Sequence, residues 1–239
     1  GVGCGVIIET KRDRITGVKG DPEHPANFGR LCTKGSTLHL TAQPDGRALY
    51  PEMRSARDQP RQRVAWTEAL DFVAERFACI IREHGPDAVA FYISGQLLTE
   101  DYYVFNKLSK GLVGTNNVDT NSRLCMSSAV AGYKATLGAD SVPACYEDID
   151  HAECILIAGA NTAYAHPVLF RSIEDARAKN PDLKLVVVDP RATDTAAAAD
   201  LHLPLLPGTD VALFNAKLHV LIWDGLVDQQ FIRAPTSGF

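Results

Sequence analysis

Between Thr67 and His84 the apolar residues Leu70, Phe72, Val73, Phe77, Ile80 and Ile81 return every three or four positions. That spacing predicts an amphipathic helix, with Thr67 as its N-cap and Gly85-Pro86 as its stop. A short apolar run, "AVAFYIS", then ends at Gly95, and a second helix is expected from about Glu100 behind Thr99. The same alternation returns with "CILIAGAN" (154–161), a helix from about Pro167 to Lys179, "KLVVVDP" (184–190), "LHLPLLP" (201–207) and a helix from about Asp210 to Asp224. Strand followed by helix, repeated, is the logic of a parallel sheet, and unbroken Val, Ile and Leu runs predict strands buried on both faces. The fold class expected is α/β, doubly wound.

The first fifty residues follow a different pattern. "GVIIETKRDRITGVKG" (5–20) holds two short β-rich runs around the polar turn Lys11 to Arg14, which predicts a hairpin. "DPEHPANFGRLCTKG" has too many turn formers for regular structure and carries Cys32 out to a glycine. We therefore expect a small β-rich subdomain over 1–49, a first α/β segment over 50–120, and a second α/β region over 121–239.

Charge and cysteine content narrow the function classes. The 239 residues carry 24 basic and 29 acidic side chains, a formal charge of −5. With no long run of one sign, nothing favours nucleic acid or an anionic membrane as a partner. No apolar run approaches the ~20 residues that span a bilayer. Six cysteines at 4, 32, 79, 125, 145 and 154 are too unevenly spaced for a small secreted disulfide framework, so a reducing, cytoplasmic compartment is expected.

Several residues stand where chemistry is expected. "NSRLCMSSAVAGY" (121–133) places Cys125 before what looks like the first turn of a small-residue helix, where free N–H groups and the helix dipole favour a thiolate. A buried small hydrophobe is the alternative. In an open α/β sheet, ligands bind beyond the carboxyl ends of the strands. Gly159 lies after one predicted strand and Asp189 ends the next, an arrangement that suits a nucleotide, although glycines there also serve simply to turn the chain. Gly208, Thr209 and Asp210 precede a helix and suit either ordinary capping or a phosphate cradle. Cys4 and Cys32, each in a glycine-rich loop, are either two unrelated thiols or sulfur ligands whose flanking glycines permit N–H···S contacts.

Taken together, "GVGCGV", "GRLCTKG", "SGQLLTEDYY", "TNNVDTNSRLCMSSAVAGYKATLGAD", "GANTAYAHP", "VVVDPRATDTA" and "LPGTD" resemble, in order and over the whole chain, the N-terminal part of the molybdopterin oxidoreductases. The likeness is strongest to the catalytic subunits of bacterial assimilatory nitrate reductases. It implies Rossmann-like domains, a [4Fe–4S] cluster, and molybdenum on two guanine dinucleotide pterins, Mo-bis(molybdopterin guanine dinucleotide). In the family's opening C-x2-C-x3-C and distant fourth cysteine, Cys4 matches the third ligand and Cys32 the fourth, the first two lying before Gly1. The resemblance puts Lys34 between cluster and pterin, makes Cys125 the molybdenum ligand, and gives Met126 a part in substrate choice, because related formate dehydrogenases usually carry histidine there. Gln96 and Asn121 would touch one pterin dinucleotide; Gly159, Asn161, Asp189, Arg191, Gly208 and Asp210 would touch the other. His166 is expected to be structural, beside the first helical residue Pro167, and Cys79 to lie in the core.

The implied activity is reduction of nitrate to nitrite, with electrons from a ferredoxin, a flavodoxin or an NADH-linked reductase subunit. A formate dehydrogenase or respiratory nitrate reductase of the same family is the nearest alternative. An NAD(P)-dependent dehydrogenase would need a G-x-G-x-x-G turn that "AGANTAYA" does not supply, and a zinc module would need four ligands where Cys4 and Cys32 supply two. The resemblance also implies a fragment, inactive alone, whose segment from about Tyr50 to Asn117 exposes apolar surface that further chain would cover.

Overall fold

The computed structural model describes residues 3–42, 44–141, 143–234 and 236–237. Part of the motif "GVGCGV" lies outside the described residues. The chain forms two units, one from Gly1–Ala42 and Ala144–Phe239, the other from Gln43–Pro143.

The chain opens with the expected hairpin. Strand β1 (Val6–Lys11) pairs antiparallel with β2 (Arg14–Gly20), and Arg12 and Asp13 both take positive φ at its tip. Two left-handed residues match the twist of a two-residue hairpin turn. A turn-rich loop leads into the single-turn helix α1 (Thr33–Ser36), with Cys32 at its N-cap.

In the second unit, β3 (Glu52–Met53) and β4 (Gln62–Arg63) form a short ribbon before the long helix α2 (Trp66–His84). Its N-cap is Ala65 rather than Thr67, so the threonine sits inside the first turn. Strand β5 (Phe91–Ile93) is followed by α3 (Thr99–Asn106), whose Asp101 carboxylate accepts from the Leu98 N–H at 3.1 Å. The helix widens into π-type turns over Lys107–Val113 and stops at the left-handed Gly114. Strand β6 (Val118–Thr120) pairs parallel with β5, Ile93 opposite Thr120, and runs directly into α4 (Asn121–Leu137).

The remaining chain builds a parallel sheet in the first unit. After α5 (Asp148–His151) come β7 (Cys154–Ala158), α6 (Thr162–Ala165), α7 (Pro167–Lys179), β8 (Lys184–Val188), α8 (Asp194–Ala197), β9 (Leu201–Leu203), α9 (Asp210–Trp223) and α10 (Gln229–Arg233). The strand order is β7-β8-β9, all parallel. The α/β class and its parallel strands are therefore as the hydrophobic pattern indicates. Phe170 and Ile173 of α7 and Ala196 of α8 close over Leu185 and Val187 of central β8, with Ile155 and Ile157 of β7 at the margin. Burial on both faces holds for β8 but not for β7, where Cys154, Leu156 and Ala158 face outward. A strand at the edge of a three-stranded sheet has neighbours on one side only, so its apolar run does not report double cover.

Candidate functional site

Asn27 organises the cysteine loop. Only 1% exposed, its amide accepts from the Gly5 N–H at 2.8 Å and donates to the carbonyls of Gly5 at 3.1 Å and Arg30 at 2.8 Å. It thereby ties the backbone next to Cys4 to the backbone just before Cys32, across 22 positions. The close packing demands glycine: a Cβ on Gly5 would meet the His24 ring at 2.4 Å, and one on Gly20 the Gly29 carbonyl oxygen at 2.1 Å.

Cys32 itself carries the charge logic that the sequence assigned to Cys125. The Gly35 N–H holds its thiol below the usual cysteine value, with the Lys34 N–H and ammonium adding to that against a partial loss of hydration. Both Cys4 and Cys32 are half-buried, and all six cysteines are free. A sulfur whose thiolate is favoured by backbone N–H groups is the donor an iron–sulfur cluster takes, so Cys32 fits such a ligand, with Cys4 in the loop that Asn27 ties to it. Among the described residues no three His, Cys, Asp or Glu side chains converge on one point.

The second set gathers at the carboxyl ends of β5 and β6. Parallel pairing sets the loop after β5 beside the start of α4, and Asn121 Oδ1 accepts from the Gly95 N–H at 2.5 Å. Gln96 and Asn121, 25 positions apart, are thus brought to one edge, both exposed. Tyr102 of α3 holds the same loop, its hydroxyl donating to the Ser94 carbonyl at 2.7 Å.

Cys125 departs from the expected position. The helix begins at Asn121, capped by the Thr120 hydroxyl, which accepts from the Ser122 N–H at 3.1 Å; Cys125 therefore lies in the second turn, beyond the free N–H groups. No loop separates β6 from α4, and the polar Asn121-Ser122 pair, which reads as loop, is already helical. Cys125 is exposed and one turn from Asn121, so the two share a face. Met126 projects about 100° away. It lines an open groove of about 600 Å³ with Ser122, Arg123, Val130, Lys134 and Asp140. A soft, accessible sulfur donor above a stripe of Ser128, Ala129 and Gly132 suits a molybdenum ligand with a bulky cofactor.

The third set lies beyond β7, β8 and β9. Gly159 has φ +65° with open space where a side chain would stand, and its N–H donates to the Val188 carbonyl at 2.8 Å. Asp189, 3% exposed, accepts from the Arg191 N–H at 2.8 Å, with the Arg191 Nε at 3.5 Å, while His202 Nε2 lies 2.8 Å from the Asp189 carbonyl oxygen. Asn161 Oδ1 accepts from the fully buried Thr195 hydroxyl at 2.9 Å. Gly208, φ +87° in open space, and Asp210, the first residue of α9, follow from the same edge after β9. Thr209 does not cap α9 through its side chain; its hydroxyl donates to the Leu206 carbonyl at 2.6 Å. His166 is the N-cap of α7 with Pro167 at its first position, and half-buried Cys79 lies on α2 with its thiol 3.2 Å from Glu83. Asn27, Tyr102 and Thr195 escaped sequence reading, since each is a common polar residue whose partners lie elsewhere in the chain.

Known proteins resemble this chain over nearly its whole length. The model of the molybdopterin oxidoreductase Fe4S4 domain matches residues 1–43, and that of molybdopterin oxidoreductase matches 47–239. A nitrate reductase of Klebsiella oxytoca is 50% identical over 97% of this chain and 26% of its own length. The F420-dependent formate dehydrogenase 1 subunit alpha of Methanococcus maripaludis is 38% identical over 100% of this chain and 34% of its own. Acetylene hydratase from Pelobacter acetylenicus superposes with a TM-score of 0.78 at 28% identity, over 96% of this chain and 31% of that one. The chain spans about a quarter to a third of the length of the curated relatives it matches. No described helix is long and apolar enough to cross a membrane. Two consecutive family models, covering the cysteine loop and then both parallel-strand edges, place this chain among the molybdopterin oxidoreductases.

Proposed function

We propose that this chain is the N-terminal part of a catalytic subunit that reduces nitrate to nitrite in the cytoplasm. The observation that carries the reading is the 50% identity to a nitrate reductase over 97% of the chain. Cys4 and Cys32 would hold part of a [4Fe–4S] cluster, Lys34 would lie beside it toward the pterin, and Cys125 would ligate molybdenum. Gln96 and Asn121 would contact one guanine dinucleotide pterin, and Gly159, Asn161, Asp189, Arg191, Gly208 and Asp210 the other. When bound, the molybdenum–pterin group supplies the two-electron chemistry, and the protein supplies position and electrostatics. Arg123 and Lys134 outnumber Asp140 on the groove beside Met126, leaving a net positive charge that favours entry of an anion. The donor side would be a ferredoxin, a flavodoxin or an NADH-linked reductase subunit.

Formate oxidation is the second reading, supported by the 38% identity to a formate dehydrogenase subunit. The test uses the full-length parent protein purified without oxygen: metal content by mass spectrometry, with nitrate reduction and formate oxidation followed with an artificial electron dye. About one molybdenum and about four irons per chain are expected, with nitrite produced. Formate oxidation without nitrite would replace the substrate, and a metal-free, inactive protein would remove the redox reading altogether.

A further inference from the structure

Thr195 is 0% exposed, yet it carries a hydroxyl, and both of that hydroxyl's bonds reach across the edge beyond β7 and β8. It accepts from the Ala163 N–H at 2.9 Å and donates to Asn161 Oδ1 at 2.9 Å, joining α8 to the turn before α6 over more than 30 positions. A buried O–H left without an acceptor costs the desolvation of that group, so the proton needs a partner. With the lone-pair side occupied by the Ala163 N–H, the acceptor it finds is the carbonyl oxygen of the Asn161 amide. The orientation of that amide follows: Oδ1 points inward to Thr195, and Nδ2 is left with its two N–H donors, unpartnered among the described residues.

We propose that Thr195 is a positioning residue that sets Asn161 as a pure hydrogen-bond donor, selecting a ligand that presents an acceptor oxygen, phosphoryl or carbonyl, at this edge. The inference rests on the assignment of this edge to a pterin dinucleotide. It goes further by giving the contact a polarity and a residue responsible for it. In the neighbouring loop Asp189 Oδ1 accepts from the Arg191 N–H, and the Asp189 carbonyl oxygen lies 2.8 Å from His202 Nε2. Asn161 then offers two N–H donors to the ligand between Gly159 and the β8 loop, beside the exposed Arg191 side chain.

The test is made on the full-length parent, comparing wild type with Thr195→Val, Thr195→Ser and Asn161→Asp. The readout is guanosine monophosphate released by acid from protein recovered at intervals after gel filtration. Loss of one net hydrogen bond to the ligand corresponds to about tenfold faster loss of nucleotide from Thr195→Val, and Thr195→Ser, which keeps the hydroxyl, should hold it within about twofold of wild type. Asn161→Asp keeps an acceptor for Thr195 but turns a carboxylate toward the ligand, so it should lose nucleotide at least as fast. Thr195→Ala, which also removes the hydroxyl, carries the test if the valine protein does not fold. Equal retention in folded Thr195→Val and wild type, or equal loss in the valine and serine variants, would overturn the role of the hydroxyl. Wild type without any guanine nucleotide would instead overturn the ligand assignment beneath it, and the inference with it.

Discussion

Two helices of this chain carry comparable apolar stripes and meet different fates. Helix α7 buries Val168, Phe170, Ile173 and Ala176, with Phe170 and Ile173 against β8, while the longer α2, whose stripe is the clearer in sequence, buries no residue. Leu70 is 59% exposed and Phe72 44%. The difference lies in what each helix faces. Three parallel strands with β8 at the centre give α7 a floor, whereas α2 meets the short β5 through Phe77, whose ring lies 5.9 Å from Phe91, itself 5.9 Å from Phe105. Two strands of three residues cannot cover a helix of nineteen. Hydrophobic periodicity states that a face will be buried; it does not state by what.

Removing a methylene-rich side chain from the floor should show the comparison at its largest. Leu185→Ala, at a fully buried β8 position, is expected to cost about 3 kcal/mol. Denaturant unfolding of the 239-residue chain, with amide exchange locating the loss in β7–β9, would measure it. A loss spread evenly into α2 would mean that the two regions unfold as one. Phe77→Ala removes the middle contact between α2 and β5, and about 1 kcal/mol is expected, confined to exchange in α2, β5 and α3.

The sequence carried α7 and the parallel strands around it because both follow from local pattern. Pro167 and Lys179 bound α7 as expected, since a proline at the first helical position and a polar stop are local signals. The start of α4 falls one turn before the expected place, because the polar Asn121-Ser122 pair ahead of Cys125 is already helical behind the Thr120 cap. The candidate ligands Cys4, Cys32 and Cys125 were visible as residue types through the family resemblance, but Asn27 and Thr195 were not. Their importance lies in complete burial and in partners 22 and 34 positions away, which no periodicity encodes.

A smaller effect should come from acid. Asp200 accepts from the Leu185 N–H at 2.7 Å and from Arg177 at 2.9 and 3.0 Å, and these contacts, the Leu185 N–H foremost, hold its carboxyl below the usual carboxylate range. A group whose folded-state value is depressed adds stability above its unfolded value and loses it as the pH falls through the folded one. The margin it gives the β8–β9 edge should therefore be intact above about pH 5 and shrink progressively below about pH 4. Asp200→Asn should abolish that part of the acid dependence in pH-resolved melting of the chain, and an unchanged acid profile would remove Asp200 from the account.

The smallest expected effect is the sharpest test of the comparison, because it distinguishes an open face from one that merely looks open. Leu70→Gln on α2 exchanges an apolar side chain that is more than half exposed for a polar one of similar helix propensity. In the 239-residue chain this should change stability by less than about 0.5 kcal/mol, since little apolar area returns to water. In the full-length parent the same substitution should cost more than about 1 kcal/mol if further chain lies over the Leu70, Phe72 and Val73 face, because the buried leucine would then be replaced by an amide without partners. Equal and negligible changes in both proteins would mean that α2 keeps its stripe in solvent even in the parent, and the contrast with α7 would then be a property of the mature fold.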